Sequence, residues 1–132
     1  MATIPDGFMD LMTEKKPLAN VATVMADGSP QVTPVWFDYV DGKIRINSAK
    51  GRVKARTMTE GAKVALSIVD PDNDYRYIQV RGVVAKVTET GAEAHIDSLA
   101  KKYMGVEKYP YASPTDVRLI FEIEPRSTQT MG

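Results

Sequence analysis

The chain has 132 residues, 43% of them hydrophobic, with 17 Lys+Arg balanced by 17 Asp+Glu and no cysteine. That length and apolar content suit one domain, residues 1–132, with a real core, and the missing thiols exclude disulfides, thiolate metal sites and cysteine nucleophiles. Zero net charge argues against a nucleic-acid coat, no run approaches the roughly 18 apolar residues of a membrane span, and no signal-like apolar block opens the chain, so the expectation is a cytoplasmic protein without membrane or nucleic-acid partners.

Residues 5–16 place Phe8, Leu11 and Met12 at i, i+3 and i+4 beside Asp6 and Asp10, which predicts a short amphipathic helix over one end of a sheet. Residues 18–26 and 31–40 read as strands joined by the turn signal Asp27-Gly28, and a second signal, Asp41-Gly42, leads to a third strand. Pro34 has no N–H to give a ladder, so it marks an edge, a bulge, or backbone left open to something else. Trp36 shares its face, either as a core residue or as a ligand platform.

Residues 43–59 read KIRINSAKGRVKARTMT, with six cations and no acid; outside them 11 cations remain against 17 acids. The alternation of Lys43 to Ile46, the break around Gly51 and the run that follows predict strand, turn and short helix. Cations in a first helical turn oppose the macrodipole by ~0.3–1 kcal/mol each, and the same turn leaves N–H groups unpaired; a docked anion answers both. Residues 48–56 are therefore read as a phosphate or carboxylate site built from backbone N–H groups, the Ser48 hydroxyl, Arg52 and Lys54. A solvated basic face has the same charge pattern.

Further along, residues 63–70 alternate as a strand, 70–74 form a turn, and 75–88 form a long strand with Tyr75, Tyr77, Gln79 and Arg81 on one face and Gly82 at a bulge or bend. Ile96, Leu99, Ala100 and Tyr103 follow helical spacing within residues 89–104, and Gly105 stops that helix. A loop rich in tyrosine and proline precedes a closing strand at residues 116–124, which Pro125 ends, and residues 126–132 form a loosely held tail. Six strands joined by short turns predict a small antiparallel barrel with helical additions.

Little side-chain chemistry is on offer. His95 is the sole histidine, has no second His or Cys to complete a metal site, and is assigned no role. No G-x-S-x-G elbow is present, and Pro71 spoils the calcium-loop spacing of Asp70, Asp72 and Asp74. An anion clamp, several aromatics and no evident acid, base or nucleophile describe an enzyme that borrows reactivity from a cofactor, the clamp holding the cofactor's phosphate.

The segments Gly28-Ser29-Pro30-Gln31-Val32-Thr33-Pro34-Val35-Trp36-Phe37, Ile46-Asn47-Ser48-Ala49-Lys50-Gly51-Arg52-Val53-Lys54-Ala55-Arg56, Val64-Ala65-Leu66-Ser67-Ile68-Val69-Asp70-Pro71-Asp72-Asn73 and Tyr75-Arg76-Tyr77 resemble the pyridoxamine 5'-phosphate oxidase-like split β-barrel family. Within it they look like the flavin/deazaflavin oxidoreductase branch that uses coenzyme F420. The resemblance implies a mainly β (α+β) fold, a six-stranded antiparallel split barrel of the FMN-binding type with peripheral helices, and a homodimer with cofactor sites in the cleft between subunits. It implies that Arg52 and Lys54 meet the cofactor phosphate, helped by Asn47, Ser48, Ala49, Lys50 and Arg56, and that the ring lies along Thr33, Pro34, Val35 and Trp36. Tyr75 and Tyr77 would come from the partner subunit, and the loop around Tyr109 and Tyr111 would border the substrate mouth. The implied activity is hydride transfer from the reduced deazaflavin to an unsaturated or quinone-like small molecule. The chain departs from the pattern at Thr57, where many relatives carry Asn, and at Met58-Thr59-Glu60-Gly61, which replaces a commoner Leu-Arg-Arg-Asp run. That lowers positive charge where an acidic cofactor tail would run and keeps FMN, which has no such tail, as the alternative cofactor. A non-catalytic flavin- or deazaflavin-binding protein is the remaining reading.

Overall fold

A computed structural model describes residues 2–132. In chain order it runs through a 3-10 turn at Asp6–Phe8, α1 (Met9–Thr13), β1 (Ala19–Val24), β2 (Pro30–Val35), β3 (Asp38–Val40), β4 (Lys43–Ala49), α2 (Val53–Thr57), β5 (Lys63–Asp70), β6 (Asn73–Thr88), α3 (Ala92–Met104) and β7 (Arg118–Met131). All the strand pairings are antiparallel, and the seven strands form one sheet in the order β2-β1-β5-β6-β7-β4-β3.

The two edge strands of that sheet, β2 and β3, are joined in sequence by Trp36 and Phe37 alone. A sheet whose edges are tied by so short a link has to curl until those edges meet at one end. This is the split barrel expected from the sequence, with seven strands in place of six. The extra strand comes from residues 31–40, predicted as one strand. Pro30–Val35 pairs with β1, whereas Asp38–Val40 pairs with β4, and between them Phe37 turns inward and is fully buried. Burying an aromatic of that size contributes ~1.5–3 kcal/mol, which outweighs continuing an alternation that would leave it outside.

Most predicted elements form where their patterns put them. β3 and β4 meet in a two-residue turn with Asp41 at φ 54° and Gly42 at φ 79°, the left-handed pair that such hairpins need. α3 ends at Gly105, also left-handed at φ 73°. α1 buries Leu11 and Met12 in the core that Phe37, Ile44, Ile46, Leu66, Ile78 and Phe121 fill inside the barrel.

The tail is different from the expectation. β7 passes straight through Pro125 to Met131, and residues 127–131 pair with β6. The proline falls opposite Gly82, where the β6–β7 register shifts, so the donor it lacks costs the ladder little. An added Cβ at Gly82 would stand 2.6 Å from the Glu124 carbonyl oxygen, so only glycine lets the two strands approach.

Candidate functional site

Where the C-terminal end of β2, the C-terminal half of β4 and the start of β7 converge, a cavity of about 320 Å³ opens beside α3. One wall is Pro34, Val35 and Trp36; the opposite side is Asn47 and Ser48 of β4 with Arg52 and Lys54 beyond the turn at Gly51. That turn needs glycine, with φ at 94°. Leu18, Ile96 and Leu99 close the apolar side, and Tyr109, Tyr111 and Arg118 complete the lining.

The cationic face has two properties that suit an anion. Among the described residues, Arg52 and Lys54 have no carboxylate within ion-pair distance, and Arg118 reaches Asp116 only at 4.0 Å. Burial, then the charges of Arg52 and Arg118, hold the Lys54 ammonium below the usual lysine range. Burial likewise draws Arg118 below its ordinary value, against the pull of Tyr109 and Asp116 and assisted by Arg52. Three crowded cations with only Asp116, 4.0 Å from Arg118, as counter-charge within ion-pair reach among the described residues form a site whose own electrostatics favour an anion. The second property is the Ser48 hydroxyl, which is buried and, among the described residues, has no hydrogen-bond partner. A buried hydroxyl left unmade costs about 1–3 kcal/mol, and a phosphate oxygen would accept from it. These residues fit the phosphate of a cofactor.

The aromatic wall is rigid. Trp36 stacks on Tyr103 at 5.4 Å between centroids and 4° between planes, and meets the edge of Tyr109 at 6.0 Å. The Tyr103 hydroxyl donates to the Pro17 carbonyl at 2.7 Å, and burial pushes its pKa up to about 12. It keeps its proton at neutral pH and anchors the stack. Tyr109 in turn lies over the Arg118 guanidinium, 5.3 Å from ring centroid to Cζ, tying the tyrosine loop to the cationic face.

Of the residues singled out from the sequence, the cavity brings together Pro34, Val35, Trp36, Asn47, Ser48, Arg52 and Lys54. Thr33 lies next to it, half-buried and paired with Val21. Ala49 is buried and paired with Arg118 behind the wall, while Lys50 and Arg56 are exposed and do not line it. Tyr75 and Tyr77 stand near the β5–β6 turn and outside the cavity lining, with Tyr75 79% exposed. Arg118 escaped sequence reasoning: it is a lone cation at the head of an alternating strand, far from the basic segment, and only the β4–β7 pairing brings it in.

Asn47 reaches the cavity but spends its amide elsewhere. Its Nδ2 donates to the Ala92 carbonyl at 2.8 Å and lies 3.2 Å from His95 Nδ1, while its Oδ1 accepts from Arg118 Nε at 2.8 Å. His95 Nε2 lies 3.2 Å from Asp38 Oδ2, and Asp38 holds both Nε and Nη2 of Arg45, at 2.8 and 2.7 Å. Burial pushes the Asp38 carboxyl up, but hydrogen bonds from His95 and Arg45 outweigh it and bring it down to about 2. His95, given no role from the sequence, is thus a buried member of a polar chain that ends at the cavity.

Comparison with known proteins agrees with this architecture. The family model for pyridoxamine 5'-phosphate oxidase matches residues 8–132. The chain belongs to that family. Among solved structures similar to this family member is an F420 reductase, 31% identical, with 96% of this chain and 98% of that one covered and a TM-score of 0.81. An FAD and heme binding protein from Mycobacterium smegmatis is 19% identical over 98% of this chain and 71% of its own, with a TM-score of 0.70. HupZ from Group A Streptococcus is 21% identical over 97% and 94%, with a TM-score of 0.68. The last two share the fold. No curated protein matches the chain. Among the described residues no helix is long and apolar enough to cross a membrane.

Proposed function

We propose that this single-domain chain is a cytoplasmic, homodimeric, coenzyme F420-dependent oxidoreductase acting on an unsaturated or quinone-like small molecule. The observation that carries the reading is the cavity face on which Arg52, Lys54 and Arg118 gather around the Ser48 hydroxyl, unpartnered among the described residues, with only Asp116, 4.0 Å from Arg118, as an acid within ion-pair reach. The likeness to an F420 reductase at 31% identity supports the choice of cofactor.

In this reading Arg52, Lys54, Arg118 and Ser48 hold the phosphate, and Pro34, Val35 and Trp36 orient the ring along their wall. A reduced deazaflavin held there would supply a hydride. The chain supplies position and dryness: Leu18, Ile96 and Leu99 exclude water, and the Trp36–Tyr103 stack fixes the wall. Tyr109 and Tyr111 border the mouth. Tyr103 is not the proton source for the product, because its hydroxyl is committed to Pro17.

An apolar hollow of about 570 Å³ lined by Ala22, Val24, Pro30, Val64 and Val83 supports the homodimer, with Val24 57% exposed beside it. Tyr75 and Tyr77, remote from this chain's own cavity lining, are then the partner subunit's contribution.

FMN is the second reading, and the end of α2 favours it. The helix stops at Thr57, whose hydroxyl bonds to Thr23 and to the Val53 and Lys54 carbonyls, and Glu60 follows, accepting from the Val87 N–H. No cation follows Arg56 there to meet an acidic tail. Side-by-side fluorescence titration with coenzyme F420 and FMN tests the proposal. Micromolar or tighter binding of the deazaflavin supports it, and turnover of a panel of enones and quinones with the reduced form completes it. Preference for FMN makes the chain a flavin enzyme; tight binding without turnover makes it a carrier; binding of neither overturns the phosphate clamp.

A further inference from the structure

Asn47 has one amide orientation that satisfies its neighbours. The Ala92 carbonyl can only accept and Arg118 Nε can only donate, so Nδ2 must face the first and Oδ1 the second. The remaining Nδ2 hydrogen points to His95 Nδ1, which must then be an unprotonated acceptor. The ring proton therefore sits on Nε2 and is donated to Asp38, whose own charge is matched by the two bonds from Arg45. Every polar group in this chain has a partner only while His95 is neutral and of this tautomer.

We propose that His95 is a positioning residue of the anion site: as the neutral Nε2–H tautomer it locks Asn47 in the orientation that anchors Arg118 against the cavity. The inference rests on the reading of Arg118, Arg52 and Lys54 as a phosphate clamp. An imidazolium at position 95 would turn Nδ1–H onto the Asn47 N–H, two donors at 3.2 Å. Rotating the amide to relieve that contact would set Oδ1 against the Ala92 carbonyl and Nδ2 against Arg118 Nε, which releases the guanidinium. The charged groups facing His95 are Asp38 of β3, with Arg45 of β4 behind it, and Arg118 of β7 beyond Asn47; Lys102 of α3 itself acts on Asp38.

The consequence has an unusual sign. Simple electrostatics says that an extra positive charge beside a cationic pocket tightens anion binding, whereas loss of the Arg118 anchor loosens it. Glutamine at position 95 offers one acceptor and one donor at similar spacing but cannot titrate, so comparing the two proteins cancels protonation of the probe itself.

Two measurements test this. The chain has one histidine, so its ¹⁵N resonances are unambiguous. At pH 7.5 they are expected to show protonated Nε2 and bare Nδ1; the opposite tautomer overturns the proposal without reference to any ligand. Coenzyme F420 and FMN are then titrated from pH 5 to pH 8 into wild type, His95→Gln, His95→Leu and Arg118→Gln. The better-binding probe is expected to lose about tenfold more affinity at low pH in wild type than in His95→Gln, the size of one charge-assisted hydrogen bond. His95→Leu is expected to be weak throughout; should it fail to fold, the glutamine comparison and the tautomer still decide. Coincident pH profiles for wild type and His95→Gln, with Arg118→Gln weakened, leave the clamp standing and overturn the role of His95. Full affinity in Arg118→Gln, or no binding of either probe to wild type, overturns the clamp and this inference with it.

Discussion

Replacing Lys54 by Met is expected to move binding and stability in opposite directions. The lysine is half-buried, and burial together with Arg52 and Arg118 already disfavours its charged form. With a phosphate in the cavity the ammonium supplies a charge-assisted hydrogen bond, so its loss should cost ~1.5–3 kcal/mol of affinity, about 10- to 150-fold in Kd. In the free protein the same change removes a repelled cation and keeps most of its hydrocarbon stem. A gain of ~0.5–1 kcal/mol follows, or roughly 2–4 °C in Tm for a chain of this size. The pH dependence has a definite sign. Because the folded state lowers the Lys54 pKa below 10.5, the unfolded chain binds more protons in that interval, and stability rises with pH there. The Met variant should show a shallower rise, with Lys102, also lowered by burial, supplying what remains. Equilibrium titration with coenzyme F420 and FMN, and urea denaturation of the free protein at pH 7 and 10, measure both halves. Unchanged Kd together with lower stability would refute the clamp and restore the solvated basic face.

Gly82→Ala should destabilise the protein by about 1–3 kcal/mol, read from the urea midpoint, since its Cβ would meet the Glu124 carbonyl oxygen at 2.6 Å; a neutral result would mean that the β6–β7 register shift relaxes freely. Asp70, whose side chain is only 4% exposed, is bound by Lys15 at 2.8 Å and by Arg76 at 2.8 Å, and these bonds hold its carboxyl well below the usual value of 3.8. Its contribution is present above pH 3.8 and lost as pH falls below it, so Asp70→Asn should lower stability at neutral pH and flatten the acid limb of the denaturation curve. Val24→Glu, at the rim of the apolar hollow, should convert a dimer to monomers in sedimentation velocity, and a wild-type monomer would remove the partner-subunit role of Tyr75 and Tyr77.

Much of this was written locally. The Asp41-Gly42 turn, the α3 spacing and the alternation of β5 and β6 are short-range signals, and the structure follows them. The basic segment and the Pro34–Trp36 wall could be picked out because their residues are unusual where they stand: cations without acids, and a proline and a tryptophan on a strand. What escaped depends on pairing between distant segments. Nothing within residues 31–40 shows that their halves belong to opposite sheet edges, and Pro125 ends a strand by local rules but not when Gly82 stands opposite. His95 looked like an idle helix residue because its partners Asp38 and Asn47 come from other strands. Arg118 joins the site through the β4–β7 register, which no local pattern encodes.

The position of β7 has a consequence for how the protein comes into being. β4 pairs only with β3 and β7, and β6 only with β5 and β7. Until residues 118–131 have been synthesised, the blocks β2-β1-β5-β6 and β4-β3 share no strand pairing and are joined through the Trp36-Phe37 link and through α2, which touches both β1 and β4. The ligand cavity is divided between those blocks, and Arg118 belongs to β7. Before β7 is made the cavity lacks Arg118 and the ladder that joins the two blocks, and a closure this non-local belongs among the slower folding events. Completing the sheet and completing the lining of the cavity both require β7.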